Sequence, residues 1–138
     1  MTKRHGRTII LGTALLFSLN ITAGAAELAG SEWRPAKIGG VELASDSGVF
    51  LGFAGDGRVT GHGGCNSFFG SYKLADGAIQ FDDLGGTRMA CSQPVMDRES
   101  SFMKALAEAK TFVRDGTTLT LSDGTGKASV SFVQADWD

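Results

Sequence analysis

The chain has 138 residues, a formal net charge of −2, 20 glycines, two prolines and two cysteines. That length allows one domain around one core. The mildly acidic balance, without basic clusters, excludes nucleic acid and an anionic membrane surface as expected partners.

Residues 1–26 read as a secretory signal peptide, leaving residues 27–138 as the mature domain. Lys3, Arg4 and Arg7 precede an apolar run over residues 8–19, and the small residues Ala23, Gly24, Ala25 and Ala26 close it. Positive start, apolar centre and small-residue end are the three parts of such a signal, with cleavage before Ala26 or Glu27. The run is shorter than the roughly 20 residues of a spanning helix, so no stable membrane span is expected after cleavage. Losing three cations takes the formal charge from −2 to −5. The expected location is outside the cytoplasm, periplasmic or secreted.

The elements then follow in order. Residues 33–38 turn at Gly39-Gly40 into residues 41–43 as a first hairpin. Four Asp-Gly pairs punctuate the rest, at Asp56, Asp76, Asp115 and Asp123. Asp-Gly between apolar runs marks tight two-residue turns, which need positive φ. Residues 49–53 and 58–62 flank the first pair, and 68–74 and 79–84 the second. Residues 111–114, 117–122 and 128–134 form a closing meander, with Leu119, Leu121, Val130 and Phe132 alternating inward. Residues 93–110 break this pattern. Val95, Phe102, Met103 and Leu106 make a helical stripe, with Ser92 as cap, Pro94 in the first turn, Asp97 and Glu99 towards the positive end of the dipole, and Lys104 and Lys110 towards the other. The expected fold is mainly β (α+β): a small, strongly curved antiparallel sheet, barrel-like, with one amphipathic helix covering an open side. Phe50, Phe53, Phe68, Phe81 and Phe132 are the aromatic residues available to fill its interior.

Two segments stand out. Cys65 lies in GHGGCNSFFGSY, residues 61–72, and Cys91 closes TRMAC, residues 87–91. Two thiols in an oxidising compartment pair as one disulfide; two free buried thiols, or a metal held with His62, are the alternatives. His62 beside Cys65 also suggests a Cys–His nucleophile, but no residue pattern supplies a group to orient the ring or an oxyanion hole. The glycines of the first segment lead into a strand and not a helix, so they read as turn glycines and not as a phosphate cradle. Asn66 is placed to take left-handed φ or to bond its own backbone. Asp76, Asp82 and Asp83 lack calcium-loop spacing and read as solvated. Arg88 is expected to pair with an acidic side chain or with carbonyl groups near Asn66.

The run GHGGCNSFFGSY, then TRMAC, then a helix and a short meander containing Leu119 to Leu121, resembles the META domain of exported and envelope proteins. Trp33 in a Ser-x-Trp setting and Val59 to Gly61 belong to the same resemblance. It implies a small barrel-like β fold with a helix, no catalytic activity and no cofactor or metal. It also implies an association with envelope stress and tolerance of antibiotics such as novobiocin. Many relatives are lipoproteins; here the first cysteine is Cys65, far beyond the signal-like run, so lipid anchoring does not carry over. Gly64, Cys65, Asn66, Phe69, Gly70 and Tyr72, with Thr87, Arg88, Met89, Ala90 and Cys91, are then structural signature positions. The expected partner is an envelope protein or a hydrophobic small molecule, bound by a monomer. Two other roles fit a small stapled barrel. One is inhibition of a hydrolase such as lysozyme or a protease, through a rigid loop at residues 45–48 or 85–86. The other is carriage of an apolar ligand in a hollow interior.

Overall fold

The computed structural model describes residues 27–135, with isolated positions 2, 6, 12 and 13 before them. The signal-like segment otherwise lies outside the described residues. The elements that lie wholly within the described residues are β1 Ser31–Ile38, β2 Val41–Glu42, β3 Phe50–Phe53, β4 Arg58–His62, β5 Ser67–Ala75, β6 Ala78–Gly86, helix α1 Gln93–Glu108, β7 Thr111–Asp115, β8 Thr118–Ser122 and β9 Ala128–Gln134. Neighbouring strands pair antiparallel in the order β2-β1-β3-β4-β5-β6-β7-β8-β9, and β1 pairs again with β9, so the sheet curves into a ring. Among the described residues, no helix is long and apolar enough to cross a membrane.

Turn chemistry sets these strands. Asp76 (φ 45°) and Gly77 (φ 79°) both take positive φ, and Ala75 faces Ala78 across that two-residue turn. Such a turn matches the twist of the strands it joins. Period-two alternation then sends one side of each strand inward. Leu51, Phe53, Val59, Phe68, Tyr72, Ile79, Phe81, Leu119, Leu121, Val130 and Phe132 are all buried. Phe50 departs from the expectation. With Leu51 and Phe53 inward, Phe50 points the other way and is only half-buried.

The ring is weakest between β6 and β7, which share a single bridge, Ala78 to Thr111. Helix α1, which joins these two strands in the chain, turns its apolar side into the ring, burying Phe102, Ala105 and Leu106. The Phe102 ring meets Phe68 at 5.8 Å and Phe132 at 6.1 Å between centroids, both edge-on. Aromatic rings prefer such edge contacts to face-to-face stacking. Ser92 occupies the cap position but makes no side-chain bond there, and no acid sits in the first turn and no base in the last. Burial of the apolar stripe therefore holds this helix, not end-capping.

The Ser-x-Trp run also has a physical basis. Trp33 is fully buried and its indole Nε1–H donates to Ser31 Oγ at 2.7 Å, while Ser31 Oγ–H donates to the Leu28 carbonyl. A buried indole needs such an acceptor. The Arg114 guanidinium lies 5.1 Å from the Trp33 ring centroid and also donates to Gln134 Oε1 at 3.0 Å, tying β7 to the β9 end.

Candidate functional site

The two motif segments meet at the end of β4 and the start of α1. Cys65 and Cys91 are joined as a disulfide with Cα atoms 5.9 Å apart, across 26 residues of chain. Cys65 is buried and Cys91 is exposed. The bond excludes the free-thiol and thiolate-ligand alternatives for this oxidised form. It also removes the Cys–His nucleophile. His62 serves the turn instead, because its Nδ1 accepts the Gly64 N–H at 3.0 Å.

Asn66 connects everything nearby. Its Oδ1 accepts the Met89 N–H at 2.6 Å and the Thr87 Oγ1–H at 2.9 Å. Its Nδ2 donates to the Met89 carbonyl at 3.3 Å and to Glu99 Oε1 at 2.7 Å. An amide side chain can give and accept at once, so Asn66 pairs with the Met89 backbone much as a strand residue would. Asn66 therefore departs from expectation. It bonds across the site and not to its own backbone, and the positive φ of this turn belongs to Gly64 (109°).

Glu99, expected to serve the helix dipole, is instead the anchor of the turn. Its Oε2 accepts the backbone N–H groups of Cys65 at 2.9 Å and Asn66 at 2.6 Å. Burial by itself would raise the Glu99 pKa. The hydrogen bonds from Asn66 and Cys65, with attraction to His62, outweigh that and hold it below the ordinary carboxylate range. A carboxylate accepting several N–H bonds is stabilised in its charged form. The sequence does carry a signal for this role: Glu99 lies three residues before Phe102 and seven before Leu106, an acid on the apolar stripe.

Gly63 shows how closely this carboxylate is held. A Cβ there would stand 2.4 Å from Glu99 Cγ and 2.6 Å from its Oε2. Gly63→Ala is therefore expected to displace Glu99 and destabilise the fold by about 2 kcal/mol, as overpacking does. Urea unfolding measures this, and a change below about 0.5 kcal/mol would mean that the carboxylate moves freely.

The other signature residues divide into two groups. Tyr72 is buried, donates its hydroxyl to the Ala54 carbonyl at 2.9 Å and meets the Phe53 ring edge-on at 4.8 Å. Gly70 lies opposite a bulge in β6, close to the Asp82 carbonyl and the Leu84 side chain. Asp83 takes positive φ at that bulge, within a strand and not a solvated loop. Phe69 and Met89 are instead about 60% exposed, and Ala90 is exposed too. Arg88 overturns its expectation: it is exposed and makes no hydrogen bond or ion pair among the described residues. Its neighbours Thr87 and Met89 hold the segment instead. Residues 85–86, expected as a loop, are the end of β6.

The META domain family matches residues 26–137, about four-fifths of the chain. The chain belongs to the META domain family. It is similar to a Burkholderia xenovorans protein solved by NMR, at 25% identity and a TM-score of 0.66, over 82% of this chain and 87% of that one. A second NMR structure aligns at 23% identity and a TM-score of 0.67, over 81% of this chain and 95% of that one. A crystal structure of a DUF4847 family protein from Bacteroides vulgatus aligns at 17% identity and a TM-score of 0.60, over 82% and 98%. These last two likenesses are of fold alone. No curated protein matches the chain. In this META domain the two motifs form one covalently closed, hydrogen-bonded unit.

Proposed function

We propose that this META-domain protein is an exported, non-catalytic binding protein of the periplasm or secreted fraction. It acts in envelope stress and in tolerance of antibiotics such as novobiocin, by contact with an envelope partner. The observation that carries the non-catalytic reading is the commitment of the two sulfurs, the His62 Nδ1 and the Glu99 carboxylate to internal bonds. The sulfurs bond each other, the His62 Nδ1 holds Gly64, and the Glu99 carboxylate accepts three donors. Groups used in this way support a scaffold. The outward positions Phe69, Arg88 and Met89 are what remains for recognition.

A protein partner fits better than an apolar ligand carried inside. Trp33, Phe102, Phe132, Leu51, Leu106, Leu119 and Leu121 are fully or almost fully buried and fill the interior where such a ligand would sit. Deleting the gene is expected to lower survival under novobiocin and heat, with a plasmid copy restoring it. Unchanged growth of the deletion strain under both stresses would overturn the role. Fractionation should find the protein outside the cytoplasm, with its two sulfurs oxidised.

A further inference from the structure

The sheet has an unfinished edge. Past Ile79, whose N–H donates to the Lys110 carbonyl at 3.0 Å, β6 is paired only on its β5 side, because β7 touches it at Ala78–Thr111 and then runs away. At the far end of β6, Gly85 faces Phe69 and the Thr87 N–H donates to the Ser67 carbonyl at 3.0 Å, so both turn towards β5. Backbone groups alternate along a strand. The Gly86 N–H and C=O and the Leu84 C=O therefore turn the other way, and none has a protein partner among the described residues. Gly86 is exposed, and it must be glycine: a Cβ would stand 2.4 Å from the Ser67 carbonyl oxygen. The result is bare, open backbone.

These groups border a groove of about 290 Å³. Leu84 and Met103, both half-buried, give it an apolar lining, and the unpartnered Arg88 stands at its rim. Glu99 and Asn66 form the inner wall, where three donors already occupy the carboxylate. Unpaired strand edges are templates for another strand. Peptide recognition of this kind takes affinity from main-chain bonds and specificity from pockets for alternate side chains.

We propose that the Leu84–Gly86 edge binds an extended peptide segment of a partner protein that carries a carboxylate. One peptide residue exchanges both backbone bonds with Gly86, its neighbour's apolar side chain lies on Leu84 and Met103, and the carboxylate pairs with Arg88. Arg88 is two residues beyond Gly86, so the carboxylate is the peptide's chain terminus, roughly 7 Å along from the residue on Gly86. A guanidinium receives such a group in two parallel bonds. This deepens the partner-binding reading above and rests on it.

The test uses isotope-labelled protein and a pool of acetylated heptapeptides. Each alternates Val, Leu or Ile with Ser or Thr and ends in a free carboxylate; the same pool ending in an amide is the comparison. The carboxylate pool should shift the Gly86 and Arg88 amide signals and slow Gly86 amide exchange at least tenfold. The amidated pool should bind about tenfold more weakly, and Arg88→Glu should abolish that difference. Gly86 signals unmoved by millimolar peptide, or equal binding of the two pools, would overturn the assignment. So would shifts at the same amides that depend on protein concentration alone, which would give the edge to a second copy of the chain. The two proposals separate in cells. An Arg88→Glu strain matching wild type under novobiocin, beside a sensitive deletion strain, would overturn the groove and leave the stress role standing. A deletion strain without a phenotype would overturn the role, whatever the peptides do.

Discussion

Replacing both cysteines, Cys65→Ala with Cys91→Ala, is expected to cost about 3.5 kcal/mol, from the chain entropy returned to the unfolded state when a 26-residue loop opens. In a domain of this size that lowers Tm by roughly 15–25 °C. The loss should appear as a lower urea midpoint with a somewhat steeper slope, because the folded ring keeps its strand pairing while the opened chain unfolds to a less compact state. Asn66 would still hold Thr87 and Met89, so the TRMAC strip should loosen without leaving its place. Reductant should bring the wild-type protein to the same stability as the double variant. Cys91 is the exposed sulfur and gives the reductant its access. A double variant within about 1 kcal/mol of wild type would show that hydrogen bonds alone define the motif unit.

The two parts of the structure differ in how far local sequence can show them. Strand bounds follow from turn chemistry and alternation, both local rules: β4 runs over Arg58–His62 and β9 over Ala128–Gln134 as the pattern requires. Phe50 fails because a run of apolar residues hides which of them faces inward, and only the pairing of Leu51 with Gly61 and Trp33 fixes it. The disulfide is legible from the count of two cysteines and the signal-like start. The site's polar wiring is not. Asn66 and Glu99 are 33 residues apart, and Asn66 and Met89 are 23 apart. No periodic pattern reports a contact made by chain reversal through a bulged hairpin and a helix. Charge draws attention to Arg88, but an amide fills the role. A backbone N–H and C=O standing side by side need one group that both accepts and donates, and a guanidinium only donates.

The same geometry explains why the exposed positions differ from the rest of the motif. Once the sulfurs, Asn66 and Glu99 fix the strip from Thr87 to Cys91, Arg88 and Met89 are held outward on rigid backbone. The side chains of Thr87 and Asn66 face each other beneath them. A rigid, outward pair beside an open strand edge loses little freedom on binding, which lowers the cost of association. Scaffold and recognition are therefore adjacent layers of the same short segments.

Glu99→Ala is expected to cost about 3 kcal/mol, because it strips the acceptor from the Cys65 and Asn66 N–H groups and from Asn66 Nδ2 at once. Glu99→Gln separates charge from shape. Its amide oxygen can keep the two backbone donors, but its NH₂ then meets the NH₂ of Asn66, which cannot flip because Met89 and Thr87 hold its oxygen. About half of the alanine cost should remain. The pH dependence gives the sharper measurement. The folded-state pKa of Glu99 is lowered, so the unfolded chain binds its proton more readily. Its contribution is then complete above the unfolded carboxylate value of about 4.3 and is lost as pH falls through the lower folded value. The stability difference between wild type and Glu99→Gln should be flat from pH 7 to about 5 and shrink below that. A difference that stays constant down to pH 3, or grows, would mean that the charge on Glu99 does not hold the turn.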